Sequence, residues 1–424
     1  MGKPNTWVQL PTKKRVNDSW FGAEQDELYQ RLVQQAYAMG EPGVCCCLST
    51  AQLPISIRMR EGRYHLARFP GTGSRHRVDC VFYAADSDGS GRRTYIREAI
   101  EETATGFQVR PDPTLRMSKT SAGPAAVPVH APGPRDSRRG SGTKRETVGS
   151  LGLLHLLWDI AGLNVHAGME KPRNWFSATT RLHRAADQVQ LGTVELGERF
   201  LALPPRLGAR DKERAERLLQ SDGQRFCIVG RVARILGEQD GRPAAIRLSG
   251  TVDLSGSMDL WFNAARGVVE ELKARYPAVC ARAESTASRD GAVVALLSAD
   301  IRVTRREGQA PTVRAQVQDA ALMWVSREFV PVASASQLRL VDHLVAQARH
   351  FSGVLRYEEE QVDELADFEL LDAGDDQPYP LLVLEGEGRV ARRAAAATRY
   401  GARCWYWEPA ADGDVPALAD RPPD

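Results

Sequence analysis

The sequence predicts an α+β protein of several domains, and three observations carry that expectation. The chain has 424 residues, 42% of them apolar and 26% charged, enough to build more than one core. Segments with helical and with strand periodicity alternate along it without an internal repeat. A stretch rich in Pro, Gly, Ser and Arg, "QVRPDPTLRMSKTSAGPAAVPVHAPGPRDSRRGSGTKRE", interrupts them and cannot bury enough apolar surface to order itself. The expected division is an N-terminal module over 24–107, a flexible linker over 108–146, a central α+β domain over 147–330, an α/β domain over 331–410 and a disordered tail over 411–424.

Composition also excludes some classes. No run of 18 apolar residues is present to cross a bilayer, and the N-terminus "MGKPNTWVQLPTKKRVNDSW" is basic without the apolar centre of a signal peptide. The expectation is a cytoplasmic protein with no membrane partner. Thiols stay reduced there, so seven cysteines, an odd number, point to metal rather than disulfides. The net charge of +2 conceals an asymmetry: residues 1–150 hold 22 Lys/Arg against 15 Asp/Glu, whereas residues 358–424 hold 6 against 17. A basic front favours a polyanion, with DNA as the expected partner, and Arg138, Arg139, Lys144 and Arg145 of the linker are placed to touch a phosphate backbone.

In the N-terminal module, "AEQDELYQRLVQQAYAMG" reads as a helix closed by Gly40. The hairpin "PISIRMR-EG-RYHLARF" follows, and "YIREAIEETAT" reads as a second helix. After the linker, "VGSLGLLHLLWDIAGL" and "NWFSATTRLHRAADQV" read as two helices. A helix-turn-helix would present Arg173, Trp175, Arg181 and Arg184 from the second, and a plain packed pair is the commoner arrangement. "RFCIVGRVARIL" and "AAIRLSG" form a hairpin turning at Asp240-Gly241, and "SMDLWFN", the helix "AARGVVEELKARY" and further strands complete the central domain.

The segment "VCCCLST" raises the question of function. Side chains alternate along a strand, so Cys45 and Cys47 point one way and Cys46 the other. The hairpin brings its two ends together, and His76 and Cys80 lie four apart, the spacing that stacks side chains on one face of a helical turn. Three thiolates and an imidazole then converge as tetrahedral zinc requires. With four protein ligands and no open position, the site is structural. Cys46 is a spare thiol, His65 a surface histidine within the second strand, and the glycines of "PGTG" a turn, since no "GK[ST]" follows.

The "C-x-C" pair, "GRYHLARFPGTGSRH", "DC" and "LGLLHLLWDIAGLN" together resemble a bacterial family of unknown function, domain-of-unknown-function family 1173, found in proteobacteria and often on mobile elements. The resemblance covers most of the chain and implies the metal-like cluster at Cys45, Cys47, His76 and Cys80 without an activity. The C-terminal order, the helix "ASQLRLVDHLVAQARHF", two strands, the helix "RVARRAAAATRYG" and the strand "ARCWYWEP", resembles the core of PD-(D/E)xK nucleases. That resemblance implies a nuclease-like domain in which Asp367 and Glu385 take the catalytic carboxylate positions and bind Mg²⁺. Glu387 stands where a Lys is expected, so either Arg389 or Arg392 supplies the positive charge or catalysis is lost. The functional expectation is a zinc-stapled, nucleic-acid-associated accessory protein of a mobile element whose nuclease-like domain either is a metal-dependent nuclease or has lost catalysis. The alternative is a non-enzymatic scaffold for protein interactions.

Overall fold

A computed structural model of the chain describes residues 7–418 apart from 22–23, 49–50, 61, 79, 86–89, 104, 118–143, 169–171, 205–212, 214–215, 239–243, 250–258, 265, 285–290, 308–310, 358–363 and 374–376. The described residues form four β-sheets with helices packed on them, a mixed α+β architecture as expected. Among them, no helix is long and apolar enough to cross a membrane.

The first sheet is built from β1 (Trp7–Gln9), β2 (Arg15–Asn17), β3 (Gly43–Cys45), β4 (Leu53–Arg60) and β5 (Arg63–Arg68), antiparallel throughout in the order β2-β1-β3-β4-β5. Helix α1 (Asp26–Tyr37) lies across it and buries Tyr29, Leu32, Val33 and Ala36, the i, i+3, i+4, i+7 stripe of an amphipathic helix. Gly40 follows at φ +71°, and Gly62, at φ +72°, turns the expected β4–β5 hairpin. The sheet begins earlier than position 24, because Val8 and Val16 are fully buried partners beneath α1.

The next segment departs from the sequence reading. "YIREAIEETAT" is not a helix: β6 (Ile100–Thr103) pairs with β7 (Gly106–Val109), and β7 runs parallel to β9 (Val189–Leu191) in a sheet ordered β10-β9-β7-β6, with β10 at Val194–Glu195. Burial of Phe107 and Val109 against that neighbour outweighs the helix preference of the two glutamates. Residues 108–117, expected to begin the linker, are built into the fold. Leu115 is fully buried, and Pro111 bridges Val148. Most of the expected linker, with Arg138 and Arg139, lies outside the described residues.

Helices α2 (Ser150–Ile160) and α3 (Trp175–Ala186) do not make a helix-turn-helix. Residues 150–158 of α2 are all buried. Trp175 Nε1 donates to Leu203 O at 2.6 Å, and the Arg173 guanidinium donates to the carbonyls of Leu163, Val165 and Glu328, so neither side chain is presented outward. Between the two helices runs β8 (Val165–Ala167), which leaves for another sheet.

The third sheet comprises β11 (Phe200–Ala202), β12 (Arg225–Leu236), β13 (Ala245–Leu248), β14 (Asp259–Ala264), β15 (Ala292–Thr304) and β16 (Thr312–Val325). The pairings β12–β13–β14–β16–β15–β12 close on themselves. Cys227, Val229, Leu296 and Met323 pack toward α2 and α3, while Phe226, Ile228, Leu297 and Leu322 pack on the other side with α4 (Arg266–Arg275) and α5 (Pro277–Glu284). Burial on both faces explains why these strands read as continuous apolar runs rather than alternating ones. The turn expected at Asp240 and Gly241 lies outside the described residues.

The fourth sheet has the order β20-β19-β18-β17-β8, with β17 (His350–Gly353), β18 (Phe368–Leu370), β19 (Tyr379–Val383) and β20 (Trp405–Trp407). Helix α6 (Ala335–Ala346) covers one face and α7 (Arg389–Tyr400) the other, with Gly401 closing α7 at φ +61°. One strand more than expected separates the two helices. Residues 411–418, expected to be tail, include Val415 and Leu418 packed against the α6 side of the sheet.

Candidate metal centre

The first sheet and the loop after β5 assemble one buried cluster. β3 ends in Cys45 on the covered face, and the chain continues so that Cys47 returns to the same interior. The loop after β5 makes a short 3-10 turn at Gly73–Arg75, where Gly73 is wedged against Ala84: a Cβ there would stand 2.9 Å from the Ala84 carbonyl. His76 then takes an extended conformation, φ −72°, ψ 155°. A turn closed by Cys80 N–H donating to Arg77 O at 2.9 Å brings Cys80 round. The helical turn expected between His76 and Cys80 is therefore a tight reverse turn, which still places both donors on one side.

The four donor atoms lie within 4.8 Å of one another. Cys45 Sγ is 3.6 Å from Cys80 Sγ, Cys47 Sγ is 3.4 Å from His76 Nδ1, and Cys80 Sγ is 3.7 Å from the same nitrogen. Zinc–sulfur bonds of about 2.3 Å and zinc–nitrogen bonds of about 2.0 Å give a tetrahedron with edges of about 3.8 Å between sulfurs and about 3.5 Å from sulfur to nitrogen. The three short separations, 3.6, 3.4 and 3.7 Å, already match these edges closely. The residues are 2–5% exposed, so water has no ready route to a fifth position. The cluster can hold a metal ion, and its donor set is compatible with zinc.

Backbone N–H groups reinforce this reading. The amide of Cys47 is aimed at Cys45 Sγ, that of Arg77 at Cys47 Sγ and that of Phe82 at Cys80 Sγ. Amide dipoles directed at sulfur stabilise thiolates. Three thiols packed together without a cation cannot all ionise. Donation from Cys45, then Cys80, His76 and the Arg77 amide, holds Cys47 far below the ordinary thiol range. Hydrogen bonding to Cys47 pushes Cys45 up to about 12, and interaction with Cys45 and Cys47 pushes Cys80 up as well. A divalent cation removes that conflict. His76 Nε2 is buried without a hydrogen-bond partner among the described residues, which leaves Nδ1 as the nitrogen turned to the thiols.

Cys46 is not part of the cluster. Its N–H donates to Trp7 O at 3.0 Å, which sets it beside Trp7 on the opposite face of the sheet. His65, in β5, also lies outside it.

The expected carboxylate site takes a different form. Asp367, 6% exposed, precedes β18. Its Oδ1 accepts from Gln337 Nε2 at 2.9 Å, Arg356 at 3.0 Å and Arg392 at 2.7 Å, while its Oδ2 accepts from Val383 N at 2.8 Å. Two guanidinium groups satisfy the charge that Mg²⁺ would neutralise. Glu385 and Glu387 lie past the end of β19, exposed, and form no metal-capable group with Asp367 among the described residues. Of the three residues expected to converge, Asp367 is buried beside Arg356 and Arg392, whereas Glu385 and Glu387 follow the end of β19 at Val383. Arg392, one of two candidates for the missing positive charge, is beside Asp367. Arg389 instead faces Glu408, 4.0 Å away.

Sequence reasoning missed β1 and β2, which brace the cluster from one side. The alternation in "WVQLPTKKRVN" around a turn was the available signal. A family model described as "Protein of unknown function (DUF1173)" matches residues 15–410. No curated protein and no solved structure matches the chain.

Proposed function

The chain belongs to the DUF1173 family, whose description assigns no activity, and from its own geometry we propose a zinc-stapled, nucleic-acid-associated accessory protein that binds rather than hydrolyses. The observation that carries this reading is the buried tetrahedral set of Cys45, Cys47, His76 and Cys80. These residues come from two segments separated by a hairpin, so a zinc ion would cross-link β3 to the loop after β5. The contribution is to folding rather than to chemistry.

The C-terminal strand pattern supports a nuclease-like scaffold: a helix, three antiparallel strands, a helix and a strand parallel to the third. The Asp367–Arg392 and Asp367–Arg356 ion pairs support its being inactive. The test measures zinc content and Mg²⁺-dependent cleavage of single-stranded and duplex DNA on one preparation. Zinc near one equivalent with no cleavage is expected. Cleavage abolished by Asp367→Ala would replace the binding reading with an enzymatic one. Nucleic-acid binding that weakens with salt separates this reading from a scaffold for protein partners.

A further inference from the structure

The sheet that holds the cluster has two faces with different surroundings. One carries Val8, Val16, Cys45, Leu53 and Ile55 under α1, all at most 2% exposed. On the other, over β2, β1 and β3, Trp7 is paired with Asn17 and Gln9 with Arg15 and Val44. Trp7 is 41% exposed, and Gln9 and Arg15 are exposed too. Trp20 meets the Trp7 ring edge-on at 5.6 Å and braces it from the side.

The turn between β1 and β2 adds Lys13, at φ 62°, and Lys14. Lys13, Lys14 and Arg15 are exposed and form no ion pair among the described residues. Diagonal positions on antiparallel strands stand about 7–8 Å apart, so the Trp7 indole and the Arg15 guanidinium share one surface, with the amides of Gln9 and Asn17 beside them.

We propose that this outer face binds single-stranded nucleic acid, with Trp7 stacking on an unpaired base and Lys13, Lys14 and Arg15 holding phosphates. An indole beside a run of cations fits a polyanion that carries flat apolar groups. A duplex keeps its bases stacked on one another and offers the indole nothing, and an acidic peptide answers the cations alone. The proposal rests on the zinc-stapled reading, because β3, which runs into Cys45, presents Cys46 N–H to Trp7 O and so anchors β1.

The experiment uses zinc-loaded full-length protein and fluorescence anisotropy with a labelled oligothymidylate, a duplex of equal length and a poly-glutamate peptide. The oligothymidylate should bind best. Trp7→Ala should weaken it about tenfold, Trp7→Phe far less. Joint replacement of Lys13, Lys14 and Arg15 by Ala should flatten the log–log salt dependence by about 2, at about 0.7 per phosphate contact. Duplex or peptide binding as tight as the oligothymidylate, or affinity indifferent to both sets of substitutions, would overturn the proposal. Zinc content read on the same samples separates the layers: zinc retained without binding defeats this inference alone, and zinc absent defeats the reading beneath it.

Discussion

Cys47 Sγ lies 3.4 Å from Nδ1 of His76, a residue 29 positions further along the chain. With Cys45 and Cys80 the pair makes a donor set at tetrahedral spacing inside a sealed interior. The purified protein should therefore carry about one zinc ion per chain. Cys80→Ser should release it, and hydrogen exchange should then show lost protection across β3–β5 while β17–β20 stay protected. Cys46→Ser should leave the metal in place. Metal-free protein fully protected in β3–β5 would refute the assignment.

Asp367 should behave as a structural hub. Its carboxylate joins the first turns of α6 and α7, the segment after β17 and the strand β19. Asp367→Ala leaves two guanidinium groups, an amide and a backbone N–H without their acceptor, at a cost of about 3–5 kcal/mol. Urea unfolding measures it, and a loss under about 1 kcal/mol would deny the carboxylate this role.

Gly43 of β3 packs tightly against β1. A Cβ there would meet Val8 Cγ1 at 2.9 Å and Gln9 O at 3.3 Å. Gly43→Val should push β1 off the sheet and destabilise the protein by about 1–3 kcal/mol. Trypsin susceptibility after Lys13, Lys14 or Arg15, compared with wild type, reports the detachment.

His155 predicts a pH dependence. Burial lowers its pKa from 6.5 to about 4, against the opposing effects of Arg356 O and Asp159. The unfolded chain takes up this proton below about 6.5, whereas the folded chain refuses it until about 4. Stability therefore falls as pH drops through that window, by about 3 kcal/mol in all. His155→Leu should flatten this limb of the curve, and identical pH profiles for variant and wild type would exclude the effect.

The cluster is legible in sequence because its ligands come as two close local groups joined by a hairpin with clear alternation and an obvious turn at Gly62. The helices α1, α2, α3, α6 and α7 are legible for the same kind of reason, periodicity with punctuation. The environment of Asp367 is not. Arg356, Arg392 and Gln337 stand 11, 25 and 30 residues from it, and only the folded sheet brings them together. β6 is hidden because its glutamates favour helix locally and the partner that overrules them begins at Gly106. β1 is hidden by brevity, since three residues carry too few alternations to stand out.

β8 carries a consequence for how the chain comes into being. This strand, lying between α2 and α3, forms the edge of a sheet whose other members come much later: Asn164 Nδ2 reaches Gly353 O across 189 residues. A ribosome adding about 5–20 residues per second takes roughly 10–40 s to bridge that interval. Throughout it, β8 is without its partner strand, and the finished sheet can close only once β17–β20 have been synthesised. Nascent chains arrested before β17 should accordingly be the ones that recruit chaperones or cross-associate through that edge.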